Sequence, residues 1–369
     1  MKSILIVGGG LAGLVSANFL AQKGLSVTLI EKKAYPFHRV CGEYISNEVV
    51  PFLHSLDLFP VEFNPSSISK FQLTSVNGKA AHMPLDLGGF GISRFTFDNF
   101  LYKKALIRGV FFILNTEVDH ITYRDDQFVV QTRTNNYTAD LVIGSFGKRS
   151  RVDMMLKRDF ILSRSPYVGV KYHIRTDQPS DLISLHNFKE GYCGLSQIED
   201  EKFTLCYLTH RNNLKKYGTI QAMEAEVLTK NPFIKSVFQN SEFLYDRPEV
   251  INEITFATKS PVENHILMAG DAAGMITPLC GNGMAMAIHS AKILSELVVE
   301  YSSGKFSRDQ LEKRYSNTWR AMFAGRLWAG RQIQKLFGDV WTSNLAVNLI
   351  RRSKPVANMI MRNTHGQPF

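Results

Sequence analysis

Three glycines, Gly8, Gly10 and Gly13, follow the apolar run "SILIV" and open a stretch whose apolar residues recur at helical spacing. Glycines in this pattern suit the binding of a pyrophosphate. One permits a tight turn, one lets the phosphates approach the backbone, and one lets the helix pack closely on the strand. Leu11 and Ala12 sit at the start of that helix, where unpaired N–H groups face an anion. Glu31, followed by Lys32, ends the next apolar run eighteen residues beyond Gly13. A carboxylate there can accept from a ribose 2′-hydroxyl, which favours FAD or NAD over a cofactor with a 2′-phosphate.

A second carboxylate stands in "GDAAGMITPLCGNG", where Gly270 and Asp271 follow the apolar run "HILMA". A carboxylate just past the carboxyl end of a buried parallel strand lies at the crevice where such sheets bind ligands. Small residues after it leave room for a close-lying group. Gly281, Asn282, Gly283 and Met284 then open another helix, whose positive dipole end favours electron density. The competing reading of Asp271 is a helix cap.

The elements that must position these groups are legible in outline. "SILIVGGGLAGLVSANFLAQKGLSVTLIEKK" reads as strand, turn, helix, turn, strand, a unit that pairs its strands in parallel, with Gly24 stopping the helix. "ADLVIGSFG" and "HILMAGD" are further buried strands. The segment from Phe71 to Phe90 reads as irregular, and "VFFILNTEVDHITY" as a strand pair. Alternating segments between about 160 and 255, such as "YVGVKYHI" and "FTLCYL", predict an antiparallel sheet. "GMAMAIHSAKILSELVVEY" and everything after Gly304 read as helical. The expected organisation is a discontinuous nucleotide-binding domain, residues 1–70, 91–158 and 256–303. A substrate domain takes residues 71–90 and 159–255, and a helical region takes 304–369.

With the late "HILMAGDAAGMITPLCGNGMAMAI" and with "ADLVIGSFGKRS", the first motif resembles the flavoprotein superfamily of aromatic hydroxylases and geranylgeranyl reductases, over essentially residues 1–300. The resemblance implies an α/β fold in which a Rossmann-like FAD-binding domain is interleaved with an antiparallel-sheet substrate domain. It implies that Asp271 binds the ribityl chain of FAD and that Arg39 and Arg94 contact the cofactor; alone, either arginine also reads as a surface ion-pair partner. Glu43 is a flavin neighbour or a helix-start carboxylate, and Cys41 an inert buried thiol. Because the substrate domain of that superfamily covers the flavin face, Phe188, Tyr192 and Cys193 become candidates for the pocket wall, against ordinary sheet packing.

The implied function is that of an FAD-dependent oxidoreductase. Its leading form is a monooxygenase that hydroxylates an apolar phenolic or polyketide-type substrate through a flavin hydroperoxide. Reduction of prenyl double bonds is the alternative, and a non-catalytic flavin-binding sensor a third. Departures from the superfamily pattern bear on this choice. Phe146-Gly147 stands where hydroxylases carry Asp-Gly, which leaves NAD(P)H as a possible donor only. Gly194 stands where the reductases carry tryptophan, and Trp319, Trp328 and Trp341 are too widely spaced for the halogenase signature.

Composition sets the outer bounds. The chain of 369 residues, 44% hydrophobic and 21% charged, is ordinary for a globular enzyme. Its four cysteines, Cys41, Cys193, Cys206 and Cys280, form no CxxC pair, against a metal site or disulfide framework and for a reducing cytoplasm. No apolar run reaches the roughly 18 residues a membrane span needs. Twelve of the Lys and Arg residues against three acids lie between Tyr301 and Phe369, nearly the whole formal charge of +10. Interleaved with aromatic residues, they suggest peripheral contact with an anionic membrane; packing of the apolar face on the flavin domain is the alternative. No recognition motif accompanies the charge, so no nucleic-acid partner is expected.

Overall fold

The computed structural model describes residues 2–162, 165–252, 254–277, 281–334, 338–352 and 366–369. The first apolar run forms the strand Ser3–Val7 inside a six-stranded sheet. Ser26–Ile30 and Leu141–Gly144 flank it in parallel, with Phe111–Ile113 and Ile266–Met268 beyond them. Helices and a three-stranded antiparallel sheet pack on it, so its strands are buried and carry continuous apolar runs. The helix Leu11–Gln22 is buried at every residue from Leu11 to Leu20, held against the strand Ser26–Ile30 and the helices Arg94–Ile107 and Gly283–Ser302. Gly24, at φ +77°, terminates it as the sequence predicts.

"VFFILNTEVDHITY" holds two strands that do not pair with each other. Phe111–Ile113 joins the parallel sheet, whereas Val118–Arg124 begins a three-stranded antiparallel sheet. Strand partners are chosen by tertiary packing, which local alternation does not encode.

The larger sheet runs in the order Glu242–Phe243, Tyr167–Arg175, Phe203–His210, Gly191–Gln197, Leu182–Phe188, Ser66–Thr74, Ala80–Gly91, Tyr44–Ser46. Glu249–Asn252 also pairs with Tyr167–Arg175. Pairing is antiparallel except between Leu182–Phe188 and Ser66–Thr74. The stretch from Phe71 to Phe90 is therefore mostly sheet rather than irregular. Its proline, Pro84, sits opposite Lys70 next to a register shift, a place where a missing N–H is tolerated.

The two faces of this sheet differ. One packs Val170, Phe188, Cys193 and Leu205 against Met223, Leu228 and Ile234, from a helical stretch between Arg211 and Asn240 that alternation alone does not reveal. The other face turns toward the parallel-sheet layer and encloses a cavity. The helix Arg308–Gln334 buries Leu311, Tyr315, Trp319, Phe323 and Leu327 at four-residue spacing on the main core, so its apolar face is core-facing. The helix Val340–Arg352 lies over Ser66–Thr74 and Ala80–Gly91. No described helix is long and apolar enough to cross a membrane.

Candidate cofactor and substrate site

A cavity of about 700 Å3 runs between the two sheets, within the usual range for small-molecule and cofactor sites. Its polar end collects most residues singled out in the sequence. Gly8, Gly10, Leu11, Ala12, Glu31, Lys32, Arg39, Arg94, Gly270, Asp271, Gly281, Gly283 and Met284 all line it.

The glycines divide their work as steric arithmetic requires. At Gly8, with φ +102°, a Cβ would stand 2.5 Å from the Ser145 carbonyl oxygen. At Gly13 it would stand 2.1 Å from the Gly8 carbonyl oxygen, so Gly13 serves helix–strand packing and does not line the cavity. At Gly10 it would meet only an Arg94 nitrogen at 3.8 Å, and the open space there is where phosphates can approach. No side chain caps the helix that Gly10 begins, nor the helix Gly283–Ser302, so both present backbone N–H groups toward the cavity.

The acids also differ. Glu31 is buried, accepts from Gly9 N at 2.7 Å and Lys33 N at 3.1 Å, and faces Arg39 at 3.5 Å. Asp271 sits on a single turn after the strand Ile266–Met268, and Ser290 Oγ accepts from Gly270 N at 3.0 Å to fix that turn. Burial raises the Asp271 carboxyl, while Lys259, Arg94, Lys148 and Arg39 pull it back. Among the described residues no donor hydrogen-bonds to this carboxylate. A carboxylate surrounded by cations yet lacking donors fits the hydroxyls of a bound sugar or sugar alcohol. Together with the open cradle at Gly10, it makes the polar end fit a flavin adenine dinucleotide.

Three supporting groups escape a reading of sequence. Asp98, buried, receives Arg39 Nε at 3.0 Å and both Arg94 Nε and Nη2, at 2.7 and 2.8 Å. Burial would lower the Arg94 pKa, but the Asp98 carboxylate outweighs it and the net shift is upward. The four-residue spacing of Arg94 and Asp98 on a helix is a signal that could have found this pair. Lys171 and His173 rise from the strand Tyr167–Arg175 to hydrogen-bond Glu43, His173 Nε2 at 2.6 Å. Burial would raise the Glu43 carboxyl, yet Lys171 and His173 hold it down at about 2. Glu43 also accepts from Arg94 N at 2.9 Å, so it ties the Arg39–Glu43 loop both to the larger sheet and to the start of the helix Arg94–Ile107. Lys259, lowered to about 8 by burial, donates at 2.8 Å to the carbonyl oxygens of Asp271 and Lys148. Cys41 is an inert thiol, its pKa raised by burial.

The other end of the cavity is apolar. Phe71, Leu73, Met83, Leu85, Ile183 and Leu185 line it from three neighbouring strands at two-residue spacing. Tyr192, Gly194 and Leu208 continue the wall, and Ile333, Ala346 and Ile350 close it from the C-terminal helices. The three substrate candidates are separated by the same alternation. Tyr192 faces the cavity, but Phe188 and Cys193 lie fully buried in the core on the opposite face of the sheet. The expectation that Phe188 and Cys193 wall the pocket is therefore corrected. Asn282 is also off the cavity, buried, with its side chain on Glu48.

The family described as an NAD(P)-binding Rossmann-like domain matches residues 6–54, the strand–glycine–helix–strand unit and the loop after it. The chain is 26% identical to the digeranylgeranylglycerophospholipid reductase of Methanosarcina acetivorans, over 86% of this chain and 80% of that one. It is 24% identical to the 3-hydroxybenzoate 6-hydroxylase of Klebsiella oxytoca, over 95% of this chain and 92% of the other. The structure of a geranylgeranyl bacteriochlorophyll reductase-like protein from Thermoplasma acidophilum superposes with a TM-score of 0.79 at 17% identity, covering 98% of this chain and 95% of that one. Along nearly its whole length the chain is thus similar in sequence to a hydroxylase and a lipid reductase, and it shares its fold with a geranylgeranyl reductase-like protein, with the Rossmann-like unit at the glycine motif as the matched family segment.

Proposed function

We propose that the protein is an FAD-dependent monooxygenase that hydroxylates an apolar phenolic or polyketide-type small molecule. The observation that carries this reading is the two-ended cavity, with a cationic cradle and a carboxylate that meets no donor among the described residues at one end and a wall of aliphatic and aromatic side chains at the other. Bound FAD would supply electron transfer and, when reduced, the activation of O2. Gly10 and the uncapped start of Leu11–Gln22 would receive its pyrophosphate, Glu31 its ribose and Asp271 its ribityl hydroxyls. Arg39 and Arg94, aligned by Asp98, would offset its negative charge. The apolar arm would hold the substrate and exclude water, which prevents loss of reactive species to solvent.

NAD(P)H is a candidate electron donor. Lys148 and Arg149, at the cavity wall beside Phe146-Gly147, offer cations to a phosphate-bearing donor. A soluble protein acting in the cytoplasm, in contact with an anionic membrane through its basic C-terminal region, belongs to the same reading. A second reading, reduction of prenyl double bonds, is favoured by the similarity to a lipid reductase and by the apolar arm.

The two separate on one experiment. Protein reconstituted with FAD is reduced and exposed to 18O2 with an alkyl phenol, or kept anaerobic with a prenyl lipid. The monooxygenase reading expects one labelled oxygen atom in the phenolic product. Saturation of the prenyl chain without oxygen incorporation would replace it by the reductase reading. Absence of flavin from the purified protein, with none taken up on titration, would overturn both.

A further inference from the structure

The helix Val340–Arg352 has two apolar faces, and among the described residues only one is covered. Inward, Val347 is fully buried, and Ala346 and Ile350 close the apolar arm of the cavity. Outward, Trp341, Leu345 and Leu349 recur every four residues and are 72%, 45% and 47% exposed. A four-residue repeat lines one side of a helix, so these three side chains form a continuous apolar stripe on the solvent side.

The helix is well made for a place at the surface. Asp339 caps its start, accepting from Trp341 N at 3.0 Å and Thr342 N at 2.9 Å. Gly338, at φ +84°, pins that start to the hairpin of the larger sheet, its carbonyl accepting from Glu190 N at 2.6 Å. Arg351 stands exposed in the last turn. An exposed apolar stripe on an otherwise ordered element marks an interaction surface.

Charge selects the partner. The region from Tyr301 onward carries twelve Lys and Arg residues against three acids, with Lys313, Arg314, Arg320 and Arg351 exposed among the described residues. A second copy of the chain would bring like charge against like charge. A surface that is negative and accepts Trp and Leu is an anionic lipid bilayer. We propose that Val340–Arg352 is an interfacial helix whose outer stripe rests on an anionic membrane while its inner face roofs the cavity. The inference rests on the reading of that cavity as a site for an apolar substrate, because it sets the substrate's roof against the phase in which such a molecule dissolves.

The full-length protein, with flavin bound, is sedimented with vesicles of phosphatidylcholine alone or mixed with phosphatidylglycerol. Binding is expected to the mixed vesicles only and to weaken with salt. The triple variant Trp341→Glu, Leu345→Glu, Leu349→Glu is expected to lose at least tenfold in binding, with flavin content and melting temperature unchanged because these side chains are exposed. Brominated phosphatidylglycerol should quench tryptophan fluorescence in the wild type and much less in Trp341→Phe. Three results would each overturn the proposal: no binding to mixed vesicles at low salt, undiminished binding by the triple variant, or a concentration-dependent dimer that this variant abolishes without any vesicle binding. Vesicle binding requires no turnover, so a protein that binds membranes yet oxidises nothing refutes the proposed chemistry and leaves this surface standing.

Discussion

Asp98 receives Arg39 and Arg94 together, whereas among the described residues Asp271 meets no donor, so the two carboxylates are expected to differ in role. Asp98 is structural support. Removing one partner of a buried ion pair leaves an uncompensated charge at a cost of about 3 kcal/mol. Asp98→Asn is therefore expected to lower the melting temperature and to weaken FAD binding at least tenfold, because both arginines lose their alignment. Asp271 is proposed to face the ligand. Asp271→Ala is expected to weaken FAD binding about ten- to hundredfold, the loss of hydrogen bonds to a charged group, with little change in the stability of the flavin-free protein. Flavin fluorescence titration and thermal melts of both variants check the contrast. Equal stability losses in the two would contradict it.

At the scale of elements, the turn between Ser3–Val7 and Leu11–Gln22 offers a comparable separation. Gly13→Val drives a side chain into the Gly8 carbonyl, whereas Gly10→Val extends one into the cavity. The first is expected to abolish soluble folded protein or to melt far lower, and the second to fold normally without retaining flavin, as absorbance at the flavin band will show. The strand Gly191–Gln197 carries the other decisive glycine. At Gly194 a Cβ would meet only the Cys206 carbonyl oxygen at 3.6 Å, ordinary contact, with the cavity beyond. Gly194→Phe is expected to keep FAD and stability while raising KM for long-chain substrates more than for short ones, measured over a homologous series of alkyl phenols.

For the whole molecule, the packing of the larger sheet sets an acid limit on stability. His186 is buried between Thr74, whose hydroxyl lies 2.9 Å from Nδ1, and Phe233, and burial lowers its pKa from 6.5 to about 4. A group whose folded pKa is depressed takes up a proton on unfolding, so stability is full above pH 6.5 and declines as pH falls toward 4. The full shift corresponds to about 3 kcal/mol. Glu43, held at about 2 against an ordinary 4.5, adds a further loss below pH 4.5 and ties loop to sheet. His186→Gln is expected to flatten the fall in melting temperature between pH 6.5 and 4 and to leave the fall below 4.5 in place. An unchanged slope in that variant would show that other groups govern it.

The glycine motif, the acid ending the second strand and the Gly-Asp pair after the late strand were readable from sequence, because backbone conformation, helix starts and strand ends are set by neighbours along the chain. The βαβ unit followed for the same reason, as did the helices Arg308–Gln334 and Val340–Arg352, while residues 335–337 and 353–365 of that expected helical region lie outside the described residues and 366–369 are not helical. What the sequence could not supply was which side of a two-sided sheet faces the cavity. In "FKEGYCGLS" the alternation separates Tyr192 from Cys193, but both faces of that sheet are buried under apolar cover, so pattern alone could not choose between them. Asp98, Lys171, His173 and Lys259 likewise acquire their roles from segments 59 to 132 residues away in the chain, except for the Arg94–Asp98 and Lys259–Asp271 contacts. Distant segments are brought together by burial of the cores between the two sheets, and that packing, rather than any local preference, decided the lining of the site.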